Sequence, residues 1–490
     1  MSKKRFARRD LLVAADASTH ISPPDTTDLA ACIDDARQAA LNGDSGPADP
    51  TDYATLRARL EAARSKFPPL YKQEFVEPYI ANLDKLGAAE FTNILISDPT
   101  HEGQAGLMLD MAHAILQRAE RFERPACDAF EEVVGDLYDG FLSAEDRQGI
   151  NPPDEGSTPP LVKWGNPDFG PYTWPGDATS TFGARAAVVS LPPANARKGL
   201  LAWAALGHET GGHDILHADH GLQNQLASEV RQSILQIGGP LAEHLSEYWS
   251  SRIDETASDV MGILNMGPAA AIGLVGYFRA LNLAFAGVAK LRSEGPVSDP
   301  HPADIVRGYL AAETVALLPF SQAGAWSKRV ASETDQDAGT ITLAGKVISR
   351  AVARESARHA AIAIASSKVR SLENHALGEI QTWQDSDELK VNIVRQLLTT
   401  NGNLPEEEGN ARIFATHIVA AAVIEALANG RDIPVIFDRM ISILAKLHSK
   451  NPVWGPLFVR HPGNIRRDLA YRFHARPEIK AAEPEGELAA

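Results

Sequence analysis

Apolar residues recur three and four apart through most of this chain, and that spacing commits it to helices before any chemistry is considered. From Tyr53 to about Gln148 the segments "LRARLEAARSKF", "GLMLDMAHAILQRAERF" and "ACDAFEEVVGDLYDGFL" carry it. It returns from Ala303 onward, in "ITLAGKVISRAVARESARHAAIAIASS" and "ARIFATHIVAAAVIEAL". Two stretches depart from it. "GINPPDEGSTPPLVKWGNPDFGPYTWPGDATSTFG" is punctuated by Pro and Gly and carries Trp164, Phe169, Tyr172 and Trp174, so it reads as loops wrapping a cleft or covering a core. "ARAAVVSLPP", Ala184 to Pro193, is the clearest strand, β-branched and stopped by prolines. The expected fold is mainly α, a multi-helix protein with a small β element.

Length divides this fold. A chain of 490 residues exceeds one simple core. The expected parts are a polar tail with one short helix over 1–50, a helical N-terminal domain over 51–150, a core over 151–310, a helical C-terminal domain over 311–475 and a disordered tail over 476–490. A net charge of -16 and a pI near 5.4 exclude a nucleic-acid or anionic-membrane surface, which needs clustered Lys and Arg. Two cysteines, Cys32 and Cys127, make no disulfide framework, so a reducing, cytoplasmic setting is expected. The twin arginine at the start is followed by an apolar run, Leu11 to Ala15, that is too short for an export signal. The most apolar window, Ala269 to Leu291, is interrupted by Arg279 and Asn282 and reads as a buried helix rather than a membrane span.

The chemistry is concentrated in "GHETGGHDILHADHG", Gly207 to Gly221, on a helix expected from about Arg197. Its four histidines allow two registers. In the first, His213 and His217 at i, i+4 lie about 40° apart on one helical face and grip one ion, with His220 as a third contact on the same face. Asp214 then occupies the base position of an H-E-x-x-H zinc peptidase, one methylene shorter than the usual glutamate. In the second, His208 and His213 are the ligands and Glu209 is the base. Residues five apart on a regular helix diverge by about 140°, so this register needs a π-bulge. Gly211 and Gly212 suit such a distortion. His213 is common to both registers, and Glu209 is the preferred base.

Either register needs a third ligand. A helix expected from near Pro240 through "LAEHLSEYWSSRIDETASDVMGILNM" keeps Leu245, Trp249, Ala257, Val260 and Leu264 on one stripe and carries "DETASD". There Glu255 is the candidate ligand. Asp259, one turn on, can accept from a ligand histidine and fix its tautomer. Two histidines and a carboxylate suit Zn2+, which acidifies bound water so that a nearby glutamate can take its proton. Alone, the two acids would be an ordinary i, i+4 pair; the histidine-rich helix upstream is what raises them.

A histidine-rich helix followed about forty residues later by E-x-x-x-D resembles the gluzincin metallopeptidases. The H-E-x-x-x-H spacing of "HETGGH" is similar to that of the dipeptidyl peptidase III family. The run from "DETASD" to "DPHPADIVRGYL" resembles instead the CAAX-prenyl-protease-like gluzincins. That resemblance implies a zincin-like catalytic core, with His301 stabilising an oxyanion and Arg307 anchoring the active-site acids. It also implies that Ala184 to Leu191 is the edge strand that pairs with an extended substrate. The likeness covers Ala184 to Leu310.

The leading expectation is a zinc metallopeptidase acting on a peptide or protein. Two alternatives stand beside it. "HD" at His213 and Asp214 suits an HD-type phosphohydrolase, for which only His113 is available as the upstream histidine. A gluzincin-like core could also serve binding without turnover. His359, His375 and His417 lie in helical segments and read as core or surface residues.

Overall fold

The alternation of side chains along two short strands organises the first half of the protein. The computed structural model describes residues 23–142, 154, 158–404 and 413–450, so the twin-arginine start and the tail expected over 476–490 lie outside the described residues. In the loop-like segment, Leu161–Trp164 (β1) and Tyr172–Trp174 (β2) flank Val188–Leu191 (β3) in the order β1-β3-β2. β1 runs parallel to β3, with Leu161 opposite Val188 and Val162 opposite Val189; β2 runs antiparallel, with Tyr172 opposite Ser190 and Trp174 opposite Val188. Successive side chains point to opposite faces. Leu161 and Val188 therefore enter one hydrophobic cluster, with the helices Tyr53–Arg64, Glu77–Ser97 and Gln104–Glu120. Val162, Trp164, Val189 and Leu191 enter another, which extends from Leu29 to Leu447.

Two expectations are corrected here. The loop-like segment contains two strands, hidden because they are three and four residues long and lie between Pro-Gly clusters. The strand read over Ala184 to Pro193 is confined to Val188–Leu191 and is central, not an edge. A strand buried on both faces reads as a plain apolar run, and its sequence does not disclose its position in a sheet. The free edge beside the site belongs to β2.

The rest is helical, which makes the protein mainly α with small sheets. Leu29–Ala40 packs through Leu29, Cys32, Ile33 and Ala36. The helix expected from near Pro240 is two helices, Ala242–Ser250 and Ile253–Met266. They break at Arg252 (φ -116°, ψ 28°), whose guanidinium stacks on Tyr248 and donates to the Pro296 carbonyl at 2.7 Å. The apolar stripe Leu245, Trp249, Ala257, Val260 and Leu264 is buried on both sides of the break, so the periodicity gave no sign of it.

Pro268–Ala286 is long and apolar enough to cross a membrane by length and composition, and 56% of its apolar window is buried in the fold. Its interrupting Arg279 is buried against Glu333 at 3.0 Å and Asp337 at 2.7 Å. Further on, "ITLAGKVI" is not helical. Ile341–Leu343 (β5) and Lys346–Ile348 (β6) form a hairpin beside Glu294–Gly295 (β4), in the order β4-β5-β6. Ala344 and Gly345 at φ 46° and 81° make its turn, and positive φ at both central residues matches the strand twist. The helix begins only at Arg350.

Candidate metal centre

Two helices cross closely enough to bring histidines against acids. Leu200–His208 continues into a π-helical turn, Glu209–Asp214, and then Ile215–Ala218. In a π turn residue i bonds to i+5, so residues five apart face the same way. The second register required this distortion, and it brings His208 and His213 together with Nε2 atoms 3.0 Å apart. Gly211 and Gly212 lie within the π turn, as expected, and have a further role. Neither has positive φ. A Cβ on Gly212 would lie 2.3 Å from the Cβ of Ser258, and one on Gly207 would lie 3.1 Å from the Cα of Gly262. These glycines are the contact surface on which Ile253–Met266 lies.

That approach assembles the cluster. Ligand atoms of His208, His213 and Glu255 lie within 4.8 Å of one another. Glu255 reaches the Nε2 of His208 and of His213 at 3.5 Å each. These spacings suit a shared cation, because donors at about 2.0–2.1 Å in a tetrahedral shell stand roughly 3.4 Å apart. A second sign is that Glu255 Oε2 is buried with no hydrogen-bond partner.

Each histidine is held from behind. His208 Nδ1 is 2.8 Å from Asp259, and His213 Nδ1 is 3.2 Å from Asp254. If both Nδ1 atoms donate to these carboxylates, both Nε2 atoms point into the same space and need a positive charge between them. Without an ion, a proton supplies it. Burial opposes protonation of His213, but hydrogen bonds to Asp254 and Glu255 outweigh it and hold its pKa well above the usual imidazole range. Burial likewise pushes against ionisation of Glu255, yet His213, Arg307 and His208 hold it well below the carboxylate range. Asp259 is fully buried and still kept low by Arg307, which donates to both its oxygens at 2.7 Å. Arg307 also lies 3.3 Å from Glu255. Arg307 thus pairs with both buried acids.

The cluster opens onto a cleft of about 720 Å³. Glu209 lines it, and Thr173 on β2 donates to the Glu209 carboxylate at 2.9 Å. His301 lines it too, half exposed, with Nδ1 3.1 Å from Asp299 and Nε2 3.4 Å from Glu255.

The first register shares His213 with the cluster, and its other residues do not join the three-ligand group, although His217 lines the same cleft. His217 lies outside the three-ligand group, with Nδ1 3.0 Å from Asp177. Burial opposes its protonation, but Asp177 and Asp254 raise it to about 9. Asp214 does not line the cleft; burial raises its pKa to about 7 and leaves Oδ2 unpartnered. His220 is exposed beside Asp154. His113, the upstream histidine of the HD alternative, is 2.9 Å from Asp49 and lines a separate cavity. His417 and His359 are engaged by Asp387 at 3.0 Å and Ser233 at 3.1 Å, and His375 by the Leu372 carbonyl at 3.1 Å.

Two residues of the site were missed in the sequence. Asp254 was passed over as the acid before Glu255, although its place in the first turn puts it beside a histidine on the crossing helix. Thr173 was lost in the aromatic segment. The alternation of "YTW" was a signal for it: Tyr172 and Trp174 point together at Asp110, at 2.7 and 2.8 Å, and Thr173 points the other way.

Comparison with protein-family models, with curated proteins and with solved structures finds no match to this chain.

Proposed function

We propose that this protein is a zinc-dependent hydrolase of peptide bonds, with His208, His213 and Glu255 as the metal ligands. The convergence of three ligand atoms, each histidine backed by its own carboxylate, carries the reading. Closed structural zinc sites use four protein ligands, whereas three leave a position free for water or substrate, as hydrolytic sites do. Zinc in such a donor set supplies Lewis acidity, acidifying water and polarising a carbonyl oxygen.

The side chains take the remaining roles. Glu209 stands in the cleft, held by Thr173, and accepts the proton of the attacking water before passing it to the leaving amine. His301 presents a half-exposed ring across the cleft, suited to donate to the oxyanion. Asp259 and Asp254 fix the tautomers of the two histidines, and Arg307 keeps the buried acids ionised. Asp214, which does not line the cleft, takes no part.

The test is hydrolysis of a broad peptide library by zinc-loaded protein, compared with Glu209→Gln. Cleavage that disappears in this variant, while the metal stays bound, is the expected result. Cleavage that survives Glu209→Gln would remove Glu209 as the base.

A further inference from the structure

One helix of the cleft wall carries an apolar ridge that the described residues leave partly uncovered. Pro268–Ala286 is buried along most of its length, as at Ala271, Val275 and Ala280, whereas Leu274, Phe278 and Leu281 are only half-buried and line the cleft. Positions i, i+4 and i+7 form one stripe. The stripe runs outward to Phe285, which is 68% exposed. At its inner end Arg307 stacks on Phe278, 4.6 Å from the ring centroid, so the ridge starts beside the ligand acids. Across the cleft stands β2, whose Thr173 holds Glu209.

The charged lining groups leave little for an acidic visitor. Arg307 is paired with Asp259, His301 with Asp299, Asp254 with His213 and Asp177 with His217. An acidic side chain entering the cleft would lose its hydration and find no free positive charge among these groups, whereas a basic one would find Glu209, held only by the Thr173 hydroxyl. An apolar one would cover Phe278 and Leu281 and be covered in turn.

We infer that the cleft selects peptides with a bulky apolar or aromatic residue beside the bond at Glu209, and that Phe278 and Leu281 determine this specificity. The inference rests on the hydrolase reading for its substrate class, but it concerns binding and can fail separately. A volume of about 720 Å³ lies in the range of pockets for small ligands, so it takes a few residues of an extended segment rather than a folded domain.

The experiment uses the full-length zinc-loaded Glu209→Gln protein, so that the probe is not consumed. Two fluorescein-labelled Gly-Ser heptapeptides, one with a central Phe-Leu pair and one with a central Asp-Lys pair, are titrated by fluorescence anisotropy. Burying one apolar side chain gives a preference of about tenfold or more for the Phe-Leu peptide. Phe278→Asp removes that preference, and so does Leu281→Ser, a milder change that keeps the test valid if the first variant misfolds by circular dichroism. Equal affinities, tighter binding of the Asp-Lys peptide, or no binding of the Phe-Leu peptide would overturn the inference. Incubation of both peptides with the unmutated protein separates the two claims. A Phe-Leu peptide bound with preference but never cut supports the specificity and contradicts the hydrolase reading. Equal cleavage of both peptides does the reverse.

Discussion

Gly212 and Ser258 touch where the histidine helix crosses the acid helix, and a methyl group on Gly212 would lie 2.3 Å from the Ser258 Cβ. Backbone and side chain at Ser258 are both this close, so neither can yield without separating the helices. Gly212→Ala is expected to destabilise the protein by about 1–3 kcal/mol, the usual cost of overpacking. It should also weaken zinc binding, because His213 moves with it. Thermal unfolding together with metal titration checks both; an unchanged melting temperature would mean that the crossing is looser than described.

Asp254 stands behind His213 as Asp259 stands behind His208. Removing the charge while keeping the shape, in Asp254→Asn, should weaken zinc affinity by about tenfold to a hundredfold, the range for partners of ligand histidines. Competition with a chromogenic chelator measures it. Affinity within twofold of the unmutated protein would mean that Asp254 does not set the His213 tautomer.

Thr173 joins the free strand edge to the base. Thr173→Val keeps the shape and deletes the donor. A hydrogen bond to a charged group contributes about 1.5–3 kcal/mol, so peptide turnover should fall by about tenfold to a hundredfold while zinc content holds. Thr173→Ser should restore most of the rate. Equal loss in both variants would point to strand packing rather than to the hydroxyl.

Cys32 and Cys127 are both buried and unpaired. Burial pushes each thiol up to about 12, with Asp35 and Asp28 adding to the effect at Cys32. Neither should react with Ellman's reagent in the native state at pH 8, and both should react once guanidinium unfolds the chain. A prompt native reaction would show that the core they share opens.

Much of this was legible in the sequence, and the exceptions share a cause. The three-and-four spacing disclosed the helices, because each buries one stripe against a large core. "HETGGH" pointed to the π turn as the backbone that would bring His208 and His213 together, with a regular helix joining His213 and His217 as the alternative, and the π turn is what forms. What stayed hidden depended on contacts between distant segments. The break at Arg252 is fixed by Tyr248 and the Pro296 carbonyl, outside the local periodicity. β1 and β2 are too short to display alternation, and β3 is apolar on both faces, so nothing local placed it at the centre of the sheet. The glycines sit in the π turn as expected, but Gly212 also makes room for a neighbour that only the fold supplies.

The central claim is that His208, His213 and Glu255 hold one metal ion together. Elemental analysis of purified protein, equilibrated with zinc and freed of excess, tests it most directly when made alongside His208→Ala, His213→Ala and Glu255→Gln. The account predicts one zinc per chain, lost in each of the three variants and kept in His217→Ala. Substoichiometric zinc in the unmutated protein, or zinc lost on changing His217 and retained on changing His208, would contradict it.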